Sequence, residues 1–415
     1  MPKKKIINDP VFGLINISTD IIFRIIEHPY FQRLRRINQL GLTDLIYPGA
    51  KHSRFQHALG ATHLMSNAIE VLRSKGHAIT DSEAEGVQLA ILLHDIGHGP
   101  FSHTLEYSFF DNINHEIVSE AFMIALNKQF DGKLSMGIEI FKDQYKKRFL
   151  HQLVSSQLDM DRLDYLSRDS FFTGVSEGVI GLDRIIKMLN IVDDELVVDE
   201  KGIYSIEKFL IARRLMYWQV YLHKTVVAAE GMLVKILDRA KKLALQGRQL
   251  EASRALHFFL SNNITEKDLF DSVAKNVNTT ILDKFASLDD SDVVYSIKTW
   301  TQHSDQLLSF LCKRLINRDL FAIEVQNKPF EAAYMKKIEA KALKLYPFFG
   351  TAPNYLVFSD SIINNAYSVT NDNINILLKN GSLSDIAQAS DISNVSALSK
   401  PVKKYFLCYP KECRR

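Results

Sequence analysis

The sequence predicts a mainly α fold: a helical core with a small hairpin over residues 1–320, then a smaller C-terminal α+β lobe over residues 321–415. Three observations predict it. Apolar residues recur at helical spacing through most of the first 325 residues. One interior segment, "DELVVDEKGIYSI", reads as a hairpin with Lys201-Gly202 near its turn. Past about residue 320, short β-branched and aromatic runs take over.

In chain order, "HPYFQRLRRINQLG" reads as a helix starting at Pro29 and ending at Gly41. Phe31, Leu34 and Ile37 form its core stripe, and Arg33, Arg35 and Arg36 fall largely off it. "HALGATHLMSNAIEVLRSKG" and "DSEAEGVQLAILLHDIGHG" are two further helices, the second capped by Asp81 or Ser82. After the hairpin, "IEKFLIARRLMYWQVYLHKTVVAAEGMLVKILDRAKKLAL" is one long amphipathic pattern. In the last lobe "DLFAIEVQ", "NYLVFSD", "NINILLK" and "KKYFLCYP" read as strands around one helix, "EAAYMKKIEAKALKLY". Residues 363 to 400, rich in Asn and Ser, read as mobile loops.

Composition excludes several classes. The chain has 415 residues, 46% hydrophobic and 24% charged, with a net charge of only +3. No overall field points to nucleic acid or a membrane. The basic N-terminus lacks an apolar stretch behind it, and no apolar run approaches the roughly 20 residues a bilayer needs. Cys312, Cys408 and Cys413 are not spaced as a zinc site or a disulfide framework. A cytoplasmic protein is expected.

Histidine is the anomaly. Eight of the 13 histidines fall between residues 52 and 115. Taken singly, His63, His77 or His151 reads as a structural core histidine. The group His57, His94, Asp95, His98 and His103 reads as a metal or catalytic site. Imidazole with carboxylate suits Mn, Fe, Ni, Zn or Mg, and no thiol lies near to make a structural zinc site. In a helix His94 and Asp95 would point about 100° apart, so both could reach one ion. A further acidic ligand would balance the charge. "LVSSQLDMDRLDYLSRDSFFTGV" offers one, since Asp161, Asp164, Tyr165, Arg168 and Asp169 recur at intervals of three and four. Leu158, Leu163 and Leu166 make that segment look buried, and buried carboxylates need cations.

His57, His94-Asp95 and Asp161 follow the H…HD…D order of the HD-domain metal phosphohydrolases. The run of "NDPVFG", "HPYFQRLRRINQLG", "YPGAKHSRFQHALG", "LLHDIGHGPFSH", "NHE", "LDMDRLDYLSRDSFFTGV" and "RRLMYWQVYLHKTV" narrows the likeness. Over roughly residues 5 to 330 it resembles the deoxynucleoside triphosphate triphosphohydrolases of the SAM- and HD-domain type, without a leading SAM domain, and their shorter bacterial relatives. The resemblance implies a helical HD-domain core and metal-dependent hydrolysis of dNTPs to deoxynucleoside and inorganic triphosphate.

By that resemblance, His57, His94, Asp95 and Asp161 would be the metal ligands, and an additional Mg would bridge the phosphates. His103 would protonate the leaving 5′ oxygen, His98 would contact the α-phosphate, and His115 would belong to the same catalytic group. Arg54, Arg162, Arg213 and Lys224 would hold the triphosphate, a role that suits convergent Arg and Lys. Gln39, Leu40, Tyr165 and Asp169 would enclose the deoxyribose. Tyr221 would exclude a 2′-hydroxyl, and His223 would approach the base or phosphate edge. Gly97 and Gly99 would let the backbone turn near the site and Pro100 would fix that turn.

Relatives of this type assemble into oligomers, so a dimer or tetramer is expected, with an activating nucleotide at a subunit interface. The matching positions are Lys5, Glu27, Gln32 and Arg35, which otherwise read as a solvated surface face. Arg314 and Arg318 would contact a neighbour's effector or be surface charges. The alternatives are an HD phosphohydrolase for a monophosphate or cyclic nucleotide, and a nucleotide sensor or single-strand binder without turnover. Tyr165, Asp169 and Arg213 argue against the former, and the full ligand set against the latter. Nucleic acid is not expected as a substrate, because no aromatic stacking platform stands out.

Overall fold

The structure, a computed structural model, describes residues 5–17, 19–110, 113–274, 280–349, 352–368, 373–391 and 400–414, without the side chains of residues 103 and 107. Helices dominate, and a small α+β region follows them. The helices Arg54–Ser74 and Asp81–Leu93 pack together, and Met160–Thr173 lies against the first. Each starts on a polar cap. Ser53 and Gln56 form a capping box, Thr80 and Glu83 form another, and Asp159 accepts from the Arg162 N–H. The second cap is Thr80 rather than Asp81 or Ser82, because its hydroxyl is the group that accepts the Glu83 N–H.

The apolar faces fill two clusters. Phe31, Phe122, Phe259 and Trp300 belong to one, and Leu64, Ile91, Leu163 and Phe209 to the other. The Arg54–Ser74 helix contributes Phe55 and Leu59 to the first and Leu64 and Met65 to the second. The helix that carries His57 is thereby clamped along its length.

Several elements depart from the sequence reading. The N-terminus forms an antiparallel hairpin, β1 (Lys5–Asp9) with β2 (Gly13–Ile17). Its turn is fixed by the Asp9 carboxylate, which accepts the N–H groups of Val11 and Phe12. The segment after Pro29 is a short helix, Pro29–Gln32, that tightens into a 3₁₀ turn over Arg33–Arg36 and becomes extended at Ile37. Phe31, Leu34 and Ile37 are buried as the stripe predicts, but a 3₁₀ turn rotates about 20° further per residue than an α-helix. Arg33 consequently points inward. Its guanidinium lies between the Phe122 and Phe285 rings and donates to the carbonyls of Ile96 and His98.

The interior hairpin is β3 (Leu189–Val192) with β4 (Glu195–Asp199). Its turn is Asp193-Asp194, both at positive φ, and Lys201-Gly202 instead forms a 3₁₀ turn into the next helix. Aspartate tolerates the left-handed region that a two-residue hairpin loop requires. The long amphipathic pattern is two helices, Ile203–Met216 and Lys224–Leu245, joined by a π turn at Tyr217–Tyr221.

In the C-terminal region β5 (Ala322–Gln326), β6 (Phe358–Asn364) and β9 (Val402–Tyr409) form an antiparallel sheet in the order β5-β9-β6. The "NYLVFSD" strand begins only at Phe358, since Pro353–Tyr355 is a 3₁₀ turn. β7 (Asn375–Leu377) lies within the expected "NINILLK" strand, while β8 (Leu383–Asp385) lies in the stretch expected as loops. β7 pairs in parallel with β4, and Tyr367, Ile374 and Ile376 bury their side chains in the second cluster. The rest of that stretch, residues 369–372 and 392–399, lies outside the described residues. Among the described residues no helix is long and apolar enough to cross a membrane.

Candidate metal centre and active site

The two central helices and the Met160–Thr173 helix bring His57, His94, Asp95 and Asp161 together. His57 Nε2 lies 3.1 Å from Asp161 Oδ1 and 3.6 Å from Asp95 Oδ2. His94 Nε2 lies 3.4 Å from the same Asp161 oxygen and 3.4 Å from Asp95 Oδ1. The other nitrogen of each ring is anchored. His57 Nδ1 is 2.7 Å from Asp164 Oδ2, and His94 Nδ1 is 2.6 Å from the Ile91 carbonyl. Both Nε2 atoms are buried and have no hydrogen-bond partner. Two orphaned imidazole nitrogens facing two carboxylates are a donor set that fits a divalent cation.

Electrostatics agree. Burial opposes charge on His57, but Asp161 and Asp164 outweigh it and push the ring up to about 10. Asp95 and Asp161 raise His94 against the same burial. Asp161 is held below the carboxylate range by the two imidazoles, although burial pulls it the other way. These shifts come from attraction between the imidazoles and the carboxylates, and a bound divalent cation would take the place of the ring protons.

Asp164 supports His57 from behind. It accepts from Arg168 Nε and Nη2, both at 3.0 Å, and Arg168 Nη1 reaches Asp9 Oδ2 at 2.8 Å. The buried chain Asp9–Arg168–Asp164–His57 fixes which ring nitrogen faces the site. Gly60 makes room for it, since a Cβ there would overlap the Asp164 and Arg168 side chains.

The loop after His94 carries the catalytic candidates. His98 stacks on His115 with ring centroids 3.9 Å apart. His115 Nδ1 is 2.6 Å from Glu106 Oε1, and the same oxygen accepts the His115 N–H. Burial, with Arg54 nearby, lowers His98 well below its ordinary value, so its ring is neutral. The side chain of His103 lies outside the described atoms. Left-handed backbone occurs at Phe101 (φ 53) and Ser102 (φ 51), not at the glycines or through Pro100. Gly97 and Gly99 serve close approach. A Cβ at Gly97 would overlap the His115 carbonyl and the Ser119 N–H, and one at Gly99 would sit 3.1 Å from Phe285. Gly97→Ala is accordingly expected to destabilise the protein by about 1–3 kcal/mol, read as a lower urea midpoint. An unchanged midpoint would show that the contact yields freely.

The catalytic loop is held from outside. Asp290 accepts the Phe101 N–H through Oδ1 and the Asn38 N–H through Oδ2, each at 2.9 Å. It thereby joins the loop before Gln39 to the loop of histidines. Burial pushes its carboxyl up to about 6.

A cavity of about 610 Å³ opens from the cluster, within the range of small-ligand sites. Gln39, Leu40, Arg54, Arg162, Tyr165, Asp169 and Tyr221 line it together with His94, Asp95, His98, His115 and Asp161. Arg162 is paired with Asp159. Asp169 accepts from the Tyr221 hydroxyl and lies against His52 Nε2, both at 2.7 Å. Gln39 Oε1 is buried without a partner. Arg213 is buried, acts electrostatically on Tyr165, and leaves Nε and Nη1 without a partner. Arg213, His223 and Lys224 are not among the lining residues. His223 caps the following helix by accepting the Thr225 N–H, and Lys224 is exposed.

The four effector candidates sit on the N-terminal elements. Lys5 lies over the Phe23 ring and Arg35 over the Phe55 ring. Gln32 bonds the Ile26 carbonyl and accepts from Arg35, while Glu27 is exposed. Arg314 is no surface charge. Its side chain is 6% exposed and pairs with Glu412, because the chain end folds over it. Arg318 donates to the Leu45 carbonyl.

Comparison with known proteins fits this geometry. Residues 54–169 match the HD domain model, and residues 180–258 match the HD associated region. A phosphohydrolase of known structure from Bacteroides thetaiotaomicron is 54% identical, with a TM-score of 0.92 over 98% of this chain and 100% of that one. The uncharacterized protein YwfO of Bacillus subtilis is 33% identical over 99% of this chain and 93% of its own length. The chain belongs to the HD-domain phosphohydrolase family. A deoxynucleoside triphosphate triphosphohydrolase, the SAMHD1 homolog of Dictyostelium discoideum, is 27% identical over 85% of this chain and 73% of its own.

Within this HD phosphohydrolase, the sequence reading did not single out Asp9, Glu106 or Asp290, set Arg33 off the core stripe, and gave Asp164 a place on a buried polar helix face but no role of its own. The one available signal was the run Asp161, Asp164 and Arg168, whose spacing puts an acid and its cation one turn behind a ligand. Asp290 gave none, since it follows Phe101 by 189 residues.

Proposed function

We propose that this phosphohydrolase cleaves deoxynucleoside triphosphates to deoxynucleoside and inorganic triphosphate. One observation carries the reading: a single cavity joins His94, Asp95 and Asp161 of the candidate metal cluster to Gln39, Tyr165, Asp169 and Tyr221, with Arg54 and Arg162 on its wall. A bound divalent cation supplies Lewis acidity and lowers the pKa of water toward neutrality. The protein's own groups do the rest. Arg54, Arg162 and Arg213 hold the phosphates, and the orphaned Nε and Nη1 of Arg213 are donors in want of an anion. Neutral His98 donates its ring N–H to the α-phosphate, and His103 protonates the leaving 5′ oxygen. Glu106 orients His115 behind the His98 ring. Asp169 keeps acceptor capacity for a 3′-hydroxyl, and Tyr221, fixed by that carboxylate, closes the space beside C2′.

The test is a product assay over all dNTPs and NTPs with several divalent metals. Inorganic triphosphate is expected as the first product. Monophosphate or pyrophosphate released first would identify a different HD chemistry. Tyr221→Ala is expected to erode the preference for deoxyribonucleotides by about tenfold, in line with the 1–3 kcal/mol that small pocket differences confer. An unchanged ratio of kcat/KM values would remove Tyr221 from that role.

A further inference from the structure

Glu230 is a half-buried residue whose carboxyl lies on the wall of the active-site cavity, and the chemistry above gives it no task. It projects from the second turn of the Lys224–Leu245 helix, nine residues after Tyr221. Beside it is Gly41, next to Leu40. A Cβ at Gly41 would stand 3.8 Å from Glu230 Oε1, and the φ of +51° there disfavours any side chain. Glycine there adds no side chain beside the carboxyl. On the other side Glu230 is hydrogen-bonded with Thr104, the residue after His103. The carboxyl thus stands between the loop proposed to enclose the sugar and the loop proposed to receive the 5′ oxygen. In a β-nucleotide the base and the 5′ carbon leave the same face of the deoxyribose, so a wall group at that place is within reach of the base.

We propose that Glu230 reads the hydrogen-bonding edge of the nucleobase, an inference that rests on the dNTP reading above and deepens it. A neutral carboxyl offers one donor and one acceptor, and by turning over it matches the edge of any of the four bases. An ionised carboxylate only accepts, and only guanine presents two adjacent donors, N1–H and N2–H, for it. Burial pushes Glu230 up to about 7, against the Thr104 hydroxyl, so both forms occur near neutral pH. Arg54 and His98 across the cavity, and Glu106, Arg314 and Glu324 on the elements packed against its helix, add nothing to that shift. The site then accepts all four bases when Glu230 is neutral and favours guanine when it is charged.

The experiment measures kcat/KM for dGTP, dATP, dCTP and dTTP at pH 6 and pH 8, in the metal-loaded wild-type protein and in Glu230→Gln. Ratios between substrates cancel pH effects on the shared chemistry. In the wild type the dGTP preference is expected to rise at least about fivefold between the two pH values, as for one bidentate base contact. In Glu230→Gln, which fixes the neutral pattern, the ratio is expected to stay flat at the wild-type pH 6 value. A flat wild-type ratio overturns the inference, as does a Glu230→Gln protein that keeps the full pH dependence. No triphosphate from any dNTP at either pH overturns the parent reading, and this one with it.

Discussion

A His94→Ala protein is expected to lose divalent metal and phosphohydrolase turnover together. His94 Nε2 is buried, has no hydrogen-bond partner, and stands within 3.4 Å of carboxylate oxygens from both Asp95 and Asp161. Its Nδ1 is tied to the Ile91 carbonyl, so the ring cannot turn away without losing that bond. Alanine would remove one donor of four and leave two carboxylates with less positive charge to face. The fold should survive, because His94 only caps its helix and Arg54 still pairs with Asp95. The measurement is metal content after desalting, beside phosphate product per mole of protein. Undiminished turnover in metal-free His94→Ala protein would refute the metal centre.

The second large effect is expected at Asp164, which is not among the residues lining the active-site cavity. Asp164→Ala would leave Arg168 buried with Asp9 alone and free His57 Nδ1 from its partner. Breaking a buried ion pair on one side costs about 3–5 kcal/mol. Loss of a carboxylate behind a metal-ligating imidazole lowers metal affinity about 10–100-fold. Both should appear, the first as a lower denaturant midpoint and the second in a metal competition titration on the folded protein. Asp164→Asn keeps the shape and an acceptor for His57, so it should recover part of the metal affinity while remaining less stable. Wild-type metal affinity in a folded Asp164→Ala protein would assign Asp164 to packing alone.

These two residues show where sequence reading reaches and where it stops. His94 announces itself by kind and company, since imidazoles seldom cluster without a task. Asp164 has the same spacing as a residue on a solvated helix face, and the sequence reading, which took the segment as buried and functional, gave Asp164 no role of its own. What distinguishes it is complete burial beside Arg168 and Asp9, and Asp9 comes from a hairpin that the sequence reading did not find. Arg33 makes the same point more sharply. Its periodicity assigned it to the outside, and a change of helix type turned it in against two aromatic rings. Glu230 lies in a long amphipathic run, where one carboxylate looks like any other.

By itself the sequence determined the helical character of the chain, the α+β character of its end, and the order His57, His94-Asp95, Asp161. Those depend on local periodicity and residue chemistry, which are written along the chain. Only the tertiary structure decided which carboxyls are stripped of water, which cation stands beside each, and which loops Asp290 binds together. Desolvation and Coulomb interaction act between groups brought together from distant positions, so a carboxylate's task is set by its surroundings more than by its neighbours in sequence.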